Sequence, residues 1–169
     1  MTVRKILTEP DPFLRQKSKK VDKVDDDIRS LMNDMLETMY NAPGIGLAAI
    51  QIGVPKRVIV IDLSKNDEKK NPLYFVNPVI VSNSNNDATY EEGCLSVPGQ
   101  FAEIDRPDKC QIKFLDYNGE EQSLNAEGLL ATCIQHEIDH LEGKLMVDYV
   151  SALKRDRVRS RLLKEYNRK

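Results

Sequence analysis

Apolar positions recur at helical spacing near both ends of the chain and at strand spacing between them. In DDDIRSLMNDMLETMY, Ile28, Leu31, Met32, Met35, Leu36 and Met39 lie three and four apart. That is the stripe of an amphipathic helix packed on a core, and the breaker run NAPG stops it near Tyr40. A shorter helix is predicted from about residue 11, where Asp11 caps and Pro12 takes the first helical position of DPFLRQKS. The period then shortens. RVIVIDL, YFVNPVIVS, ATYEEG, CQIKFLDY and EQSLNAE read as strands, with Asn118-Gly119 as a hairpin turn between the last two. SKNDEKKNP reads as an exposed loop, and LSVPG as a Pro-Gly-bounded loop after the strand that ends at EEGC. Helical spacing returns over residues 127–142, closed by Gly143, and over residues 151–167. The prediction is an α+β fold of antiparallel sheets packed around a central helix, with an N-terminal and a C-terminal helix. Residues 1–150 are expected to form one domain, with residues 151–169 as a basic helix belonging to it.

Composition narrows the class. A chain of 169 residues, 40% hydrophobic and 31% charged, can bury a core of its own. No run approaches the roughly 18 apolar residues of a membrane span, and the N-terminal apolar run is too short for a secretory signal. The expectation is a cytoplasmic protein without a membrane partner. Three cysteines, an odd number with no C-x-x-C pair, fit a reducing compartment and leave a free thiol. The net charge of −2 divides unevenly: residues 151–169 carry +6 and the remainder −8.

Both histidines fall in QHEIDHLEG. On a helix, His136 and His140 lie one above the other and can converge on one ion. Glu137, about 100° round the helix, can reach a water beside that ion without binding it. This H-E-x-x-H pattern is that of metal-assisted hydrolysis. A third ligand is needed, and the chain has no third histidine. Glu165 sits in the basic tail, a poor place for a ligand. Cys133 shares a face with His136, but helical side chains lean toward the N-terminus, so its thiol is a wall residue rather than a ligand. Cys94, after the permissive Gly93 and beside the Pro-Gly-bounded loop, is the better candidate. In GIGLAAIQIG, a phosphate loop is excluded because no G-K-[ST] follows and no strand precedes. What remains is a Gly-rich edge able to receive an extended peptide, and one amide, Gln51.

GIGLAAIQ, EEGCLS and QHEIDH, in that order and without gaps, closely resemble the three signature motifs of the peptide deformylase family. The resemblance covers nearly the whole chain. It implies Cys94, His136 and His140 as metal ligands, Glu137 as general base and acid, and Gln51 with the backbone N–H of Leu95 as oxyanion donors. Ile45, Gly46 and Gly93 would meet the backbone of a substrate lying as an added strand. Leu129, Thr132, Cys133 and His136, with Tyr90 and Glu92 nearby, would form the methionine pocket. The implied reaction is hydrolysis of the formyl group of N-formylmethionyl nascent peptides, releasing formate. The implied cofactor is one divalent metal ion, Fe(II) natively, with Zn, Ni or Co able to substitute. Some relatives carry arginine where this chain has Phe101. The competing readings are a small H-E-x-x-H zinc peptidase, which leaves Cys94 without a role, and a ribosome-binding protein with a structural metal. Lys154, Arg157, Arg161, Lys164 and Arg168 form a basic stripe on the last helix. Its usual meaning is a solvated face; the resemblance adds ribosomal RNA near the exit as a partner.

Overall fold

The computed structural model describes all 169 residues. The Met-rich stripe forms α1 (Asp26–Asn41), capped by the Asp25 side chain, which accepts from Ile28 N at 3.0 Å. The strands are β1 (Gly46–Ala48), β2 (Val58–Ile61), β3 (Leu73–Asn83), β4 (Asp87–Cys94), β5 (Val97–Pro107), β6 (Lys109–Leu115) and β7 (Glu121–Glu127). Two helices complete the chain, α2 (Gly128–Leu141) and α3 (Ala152–Tyr166). A five-stranded antiparallel sheet has the order β1-β2-β3-β6-β7, and β4 and β5 form a separate hairpin.

The sheet is covered on both faces at β2, which explains the unbroken apolar run VIVI there. Val58 and Val60 join the α1 stripe in one core, whereas Ile59 and Ile61 join Ile134 and Leu141 of α2 in a second. A third core lies behind β5, where Val97, Ala102 and Ile104 meet Val158 and Leu162 of α3. The last turn of α2 closes on Gly143 at φ +74, with Lys144 N donating to Asp139 O at 2.9 Å. A positive φ of this kind is the usual reason for glycine there.

Two expectations are corrected, and one is refined. The helix predicted from residue 11 is a single 3-10 turn, Pro12–Arg15, although Asp11 caps it as expected, accepting from Phe13 N at 2.9 Å. The hairpin expected at Asn118-Gly119 joins β6 to β7, through a turn wider than two residues: Asp116 N donates to Glu120 O at 3.0 Å, and the Asp116 carboxylate gathers the amides of Asn118 and Glu120. The segment after Cys94 is not a loop but β5. Its prolines stand at the start and end of a strand that pairs on one side only, where a missing N–H is tolerated. The pairing is irregular. Gly93 faces Phe101 while Cys94 faces Val97, so residues 98–100 bulge out as a lip.

Candidate active site

The middle of α2 is buried on all sides between the sheet and the β4–β5 hairpin. His136, Glu137 and His140 are 8%, 5% and 1% exposed. One helical turn stacks the two imidazoles, with ring centroids 5.1 Å apart. β4 ends at Cys94, whose Sγ lies 3.4 Å from His140 Nε2, and the ligand atoms of Cys94, His136 and His140 all lie within 4.8 Å of one another. Two donors on one tetrahedral ion, at ordinary Zn–S and Zn–N lengths, stand about 3.5 Å apart. The three side chains can therefore hold a metal.

The ring of His136 is fixed from behind. Its Nδ1 meets Glu92 Oε1 at 2.8 Å, which leaves Nε2 for the cleft. The buried Arg106 donates to both Glu92 oxygens at 2.7 and 3.0 Å and to Asp139 Oδ2 at 2.8 Å. Tyr149 Oη also donates to Asp139 Oδ2, at 2.6 Å, and its ring lies under the Arg106 guanidinium. Burial alone would push the Glu92 carboxyl up, but His136 and Arg106 hold it below its ordinary range. Burial would likewise lower His136, yet Cys94 and Glu92 raise it well above the ordinary imidazole value. His140, buried and beside that charge, is lowered.

Glu137 faces the same centre. Burial pushes its carboxyl up to about 7, and its Oε2 has no protein hydrogen-bond partner. Gly46 makes this placement possible: a Cβ there would stand 2.7 Å from Glu137 Oε1. The Gln51 amide is locked at both ends. Its Oε1 accepts from Ala48 N at 2.9 Å, and its Nε2 donates to Ser96 Oγ at 2.9 Å and lies 3.7 Å from Cys94 Sγ.

A cleft of about 480 Å³ opens onto these groups. Ile45 and Gly46 line one side; Tyr90, Glu92, Gly93, Cys94 and Leu95 line the other, and Leu129, Thr132, Cys133, His136 and Glu137 lie along α2, with Gln51 also in the lining. His140 alone among the sequence-predicted residues is outside the lining, behind Cys94. Burial, and then Glu137, push the Cys133 thiol up to about 12, so it is an inert wall. Sequence reasoning missed Ser96, Arg106, Asp139 and Tyr149. Arg106 gave the one available signal: an arginine at a core-facing position of an alternating strand demands carboxylates nearby.

Residues 3–156 match the family model described as polypeptide deformylase. The chain belongs to this family. Curated relatives named peptide deformylase include one from Pelagibacter ubique, 62% identical over 97% of this chain and 95% of its own length. Another, from Rhizobium meliloti, is 57% identical over 97% and 94%. A crystal structure of the Ehrlichia chaffeensis peptide deformylase in complex with actinonin superposes with a TM-score of 0.93 at 44% identity, covering 98% of each chain. A Legionella pneumophila peptide deformylase superposes at 0.90 and 47% identity, covering 99% of this chain and 96% of that one. Members of the family are metalloenzymes, in keeping with the Cys94, His136 and His140 group. No helix is long and apolar enough to cross a membrane.

Proposed function

We propose that this chain hydrolyses the formyl group of N-formylmethionine at the start of newly made polypeptides and releases formate. The observation that carries the reading is the convergence of Cys94, His136 and His140 beside a buried, unpartnered Glu137 carboxylate in a chain of the deformylase family. A peptidase of the H-E-x-x-H kind leaves the Cys94 thiol, 3.4 Å from His140 Nε2, without a task.

Cys94 Sγ and the Nε2 atoms of His136 and His140 would hold one divalent ion, which supplies an acidified water and polarises the formyl carbonyl. We assign Fe(II) as the native ion, with Zn, Ni or Co fitting the same donors. The substrate backbone extends along Ile45 and Gly46, because β1 is the open edge of the sheet. The methionine side chain enters between Tyr90, Leu129, Thr132 and Cys133. Gln51 Nε2 and Leu95 N–H donate to the formyl oxygen as it gains charge. Loss of one such donor costs about 10²–10³ in rate. Glu137 Oε2 takes the proton of the attacking water and passes it to the methionine nitrogen as the C–N bond breaks. Its raised pKa, near 7, suits both halves of that transfer.

Residues 1–150 and α3 act as one domain in this reading, working in the cytoplasm, with the exposed α3 cations away from the cleft, Arg157, Lys164 and Arg168, as a salt-sensitive contact to ribosomal RNA. The deciding test is formate release from formyl-Met-Ala-Ser by anaerobically purified protein. Cleavage of internal peptide bonds instead, or no formate at all, would overturn the reading.

A further inference from the structure

The cations of α3 differ in what they touch. Arg159 is paired, with Glu9 at 3.3 Å and Asp148 at 3.5 Å. The stripe cations Lys154, Arg157, Arg161, Lys164 and Arg168 have no carboxylate within salt-bridge distance. Two of these unpaired cations reach the lip of the cleft. Lys154 Nζ donates to Phe101 O at 3.4 Å, and Arg161 NH1 donates to Gln100 Oε1 at 3.3 Å. Gln100 and Phe101 themselves line the cleft. The bulge at residues 98–100 brings β5 to this position, and the packing of Val158 and Leu162 behind β5 holds α3 against it.

The opposite strand has the other sign. Glu91 of β4 also lines the cleft and faces Glu103 across the hairpin. Glu92 is next to it, but its carboxylate is consumed by Arg106 and His136. The mouth is therefore polarised, acidic at Glu91 on β4 and basic where β5 meets α3. A peptide whose first residue is held in the cleft must pass this mouth with its following residues. Both lip contacts engage neutral oxygens, so the charges of Lys154 and Arg161 remain available to such a peptide.

We propose that Lys154 and Arg161 form a selectivity element for the substrate chain, favouring nascent peptides with acidic side chains shortly after the methionine. This deepens the deformylase reading and rests on it. The attraction acts on capture, so it appears in KM and kcat/KM and leaves kcat unchanged. Two exposed cations a few ångströms from an acidic pair give a preference of about three- to tenfold at low salt, fading as the Debye length shrinks to roughly 3 Å near 1 M salt.

The experiment compares formyl-Met-Ala-Ser-Asp-Asp and formyl-Met-Ala-Ser-Lys-Lys, each as a ratio of kcat/KM to formyl-Met-Ala-Ser on the same metal-loaded preparation. Taking the ratio cancels losses of fold or metal. The acidic peptide is expected to exceed the basic one at low salt. The preference should vanish in K154Q/R161Q and persist in K164Q/R168Q, which alters only the far end of the stripe. Equal ratios in wild type, or the same preference in both variants, would overturn the inference while leaving deformylation standing. Wild-type ratios near one together with salt-sensitive ribosome binding lost in K154Q/R161Q would assign these two cations to RNA instead. No turnover of the neutral peptide would sink the deformylase reading, and the selectivity element with it.

Discussion

Glu137 has one carboxylate oxygen without a protein partner and a pKa raised by burial to about 7, and neither feature serves the fold. Glu137→Gln keeps the shape and removes the proposed proton carrier. Metal content should stay at wild-type level while turnover falls by about 10²–10⁴; appreciable turnover would take Glu137 out of the mechanism. Gly46→Ala asks the same question from the other side. The added methyl would lie 2.7 Å from Glu137 Oε1, so the carboxylate must shift. Misplacement on that scale costs about 10²-fold in rate. Metal analysis and rates on one preparation should show full occupancy with slow turnover. A glycine usually suggests a turn; at Gly46 it gives the Glu137 side chain room, which the sequence alone does not reveal.

At the scale of elements, the helices were legible because α1 and α2 bury continuous stripes, β2 because its apolar run VIVI is uninterrupted, and β6 because Cys110, Ile112 and Phe114 alternate with polar residues. β5 was not. Pro98, Gly99 and Pro107 punctuate it, and those residues say loop in any local reading. It is a strand because β4 supplies its partner and the third core needs Val97, Ala102 and Ile104 on its inner face. The candidate ligands were legible from spacing and motif, since a helix fixes the relation of His136 to His140. The brace from Tyr149 through Asp139, Arg106 and Glu92 to His136 was not, because its members come from four separate elements and meet only after packing. The attachment of α3 can be tested directly. Leu162 is 2% exposed in the core behind β5. Leu162→Ala should cost about 2–4 kcal/mol in urea unfolding if α3 unfolds together with the rest. A much smaller loss in the global transition, with early loss of helical signal, would show α3 opening by itself.

Across the whole molecule, several carboxylates tie distant segments together. Asp34 on α1 accepts from Thr2 N at 2.8 Å and from Arg4 NH2 at 2.6 Å, which fastens the N-terminus. Asp148 accepts from Arg15 NH1 at 2.7 Å and from Leu145 N at 3.0 Å. Asp62 accepts from Tyr40 Oη, Ser64 N and Asn71 N. Burial alone would raise all three pKa values, but their donors hold each one below the ordinary carboxylate value. A depressed folded-state pKa means that the unfolded chain takes up protons first. The stabilisation is therefore present above the ordinary value, about 4, and is lost as pH falls through the lower folded values. Urea midpoints should drop steeply on acidification below pH 4. Asp34→Asn should lower the midpoint at pH 7 and flatten the acid slope, so that the two curves draw together at the lowest pH. Parallel curves would exclude Asp34 from the acid response.

The three cysteines are set at different depths. Cys94 is half-buried at the cleft, whereas Cys110 and Cys133 are buried in the second core and burial raises both of their pKa values. This makes the thiols a clock for motions of the native state. An aromatic disulfide reagent should modify one equivalent quickly, and a bound ion should slow that phase. The other two equivalents should follow slowly: Cys110 only when β6 swings open, and Cys133, although in the cleft wall, only when movement of α2 bares a thiol that burial keeps protonated, each at a rate set by its own opening equilibrium. If Cys133 reports before Cys110, α2 breathes independently of the sheet. If both report together and keep pace with global unfolding, helix and sheet open as one unit, and the candidate ligands hold their places for as long as the protein stays folded.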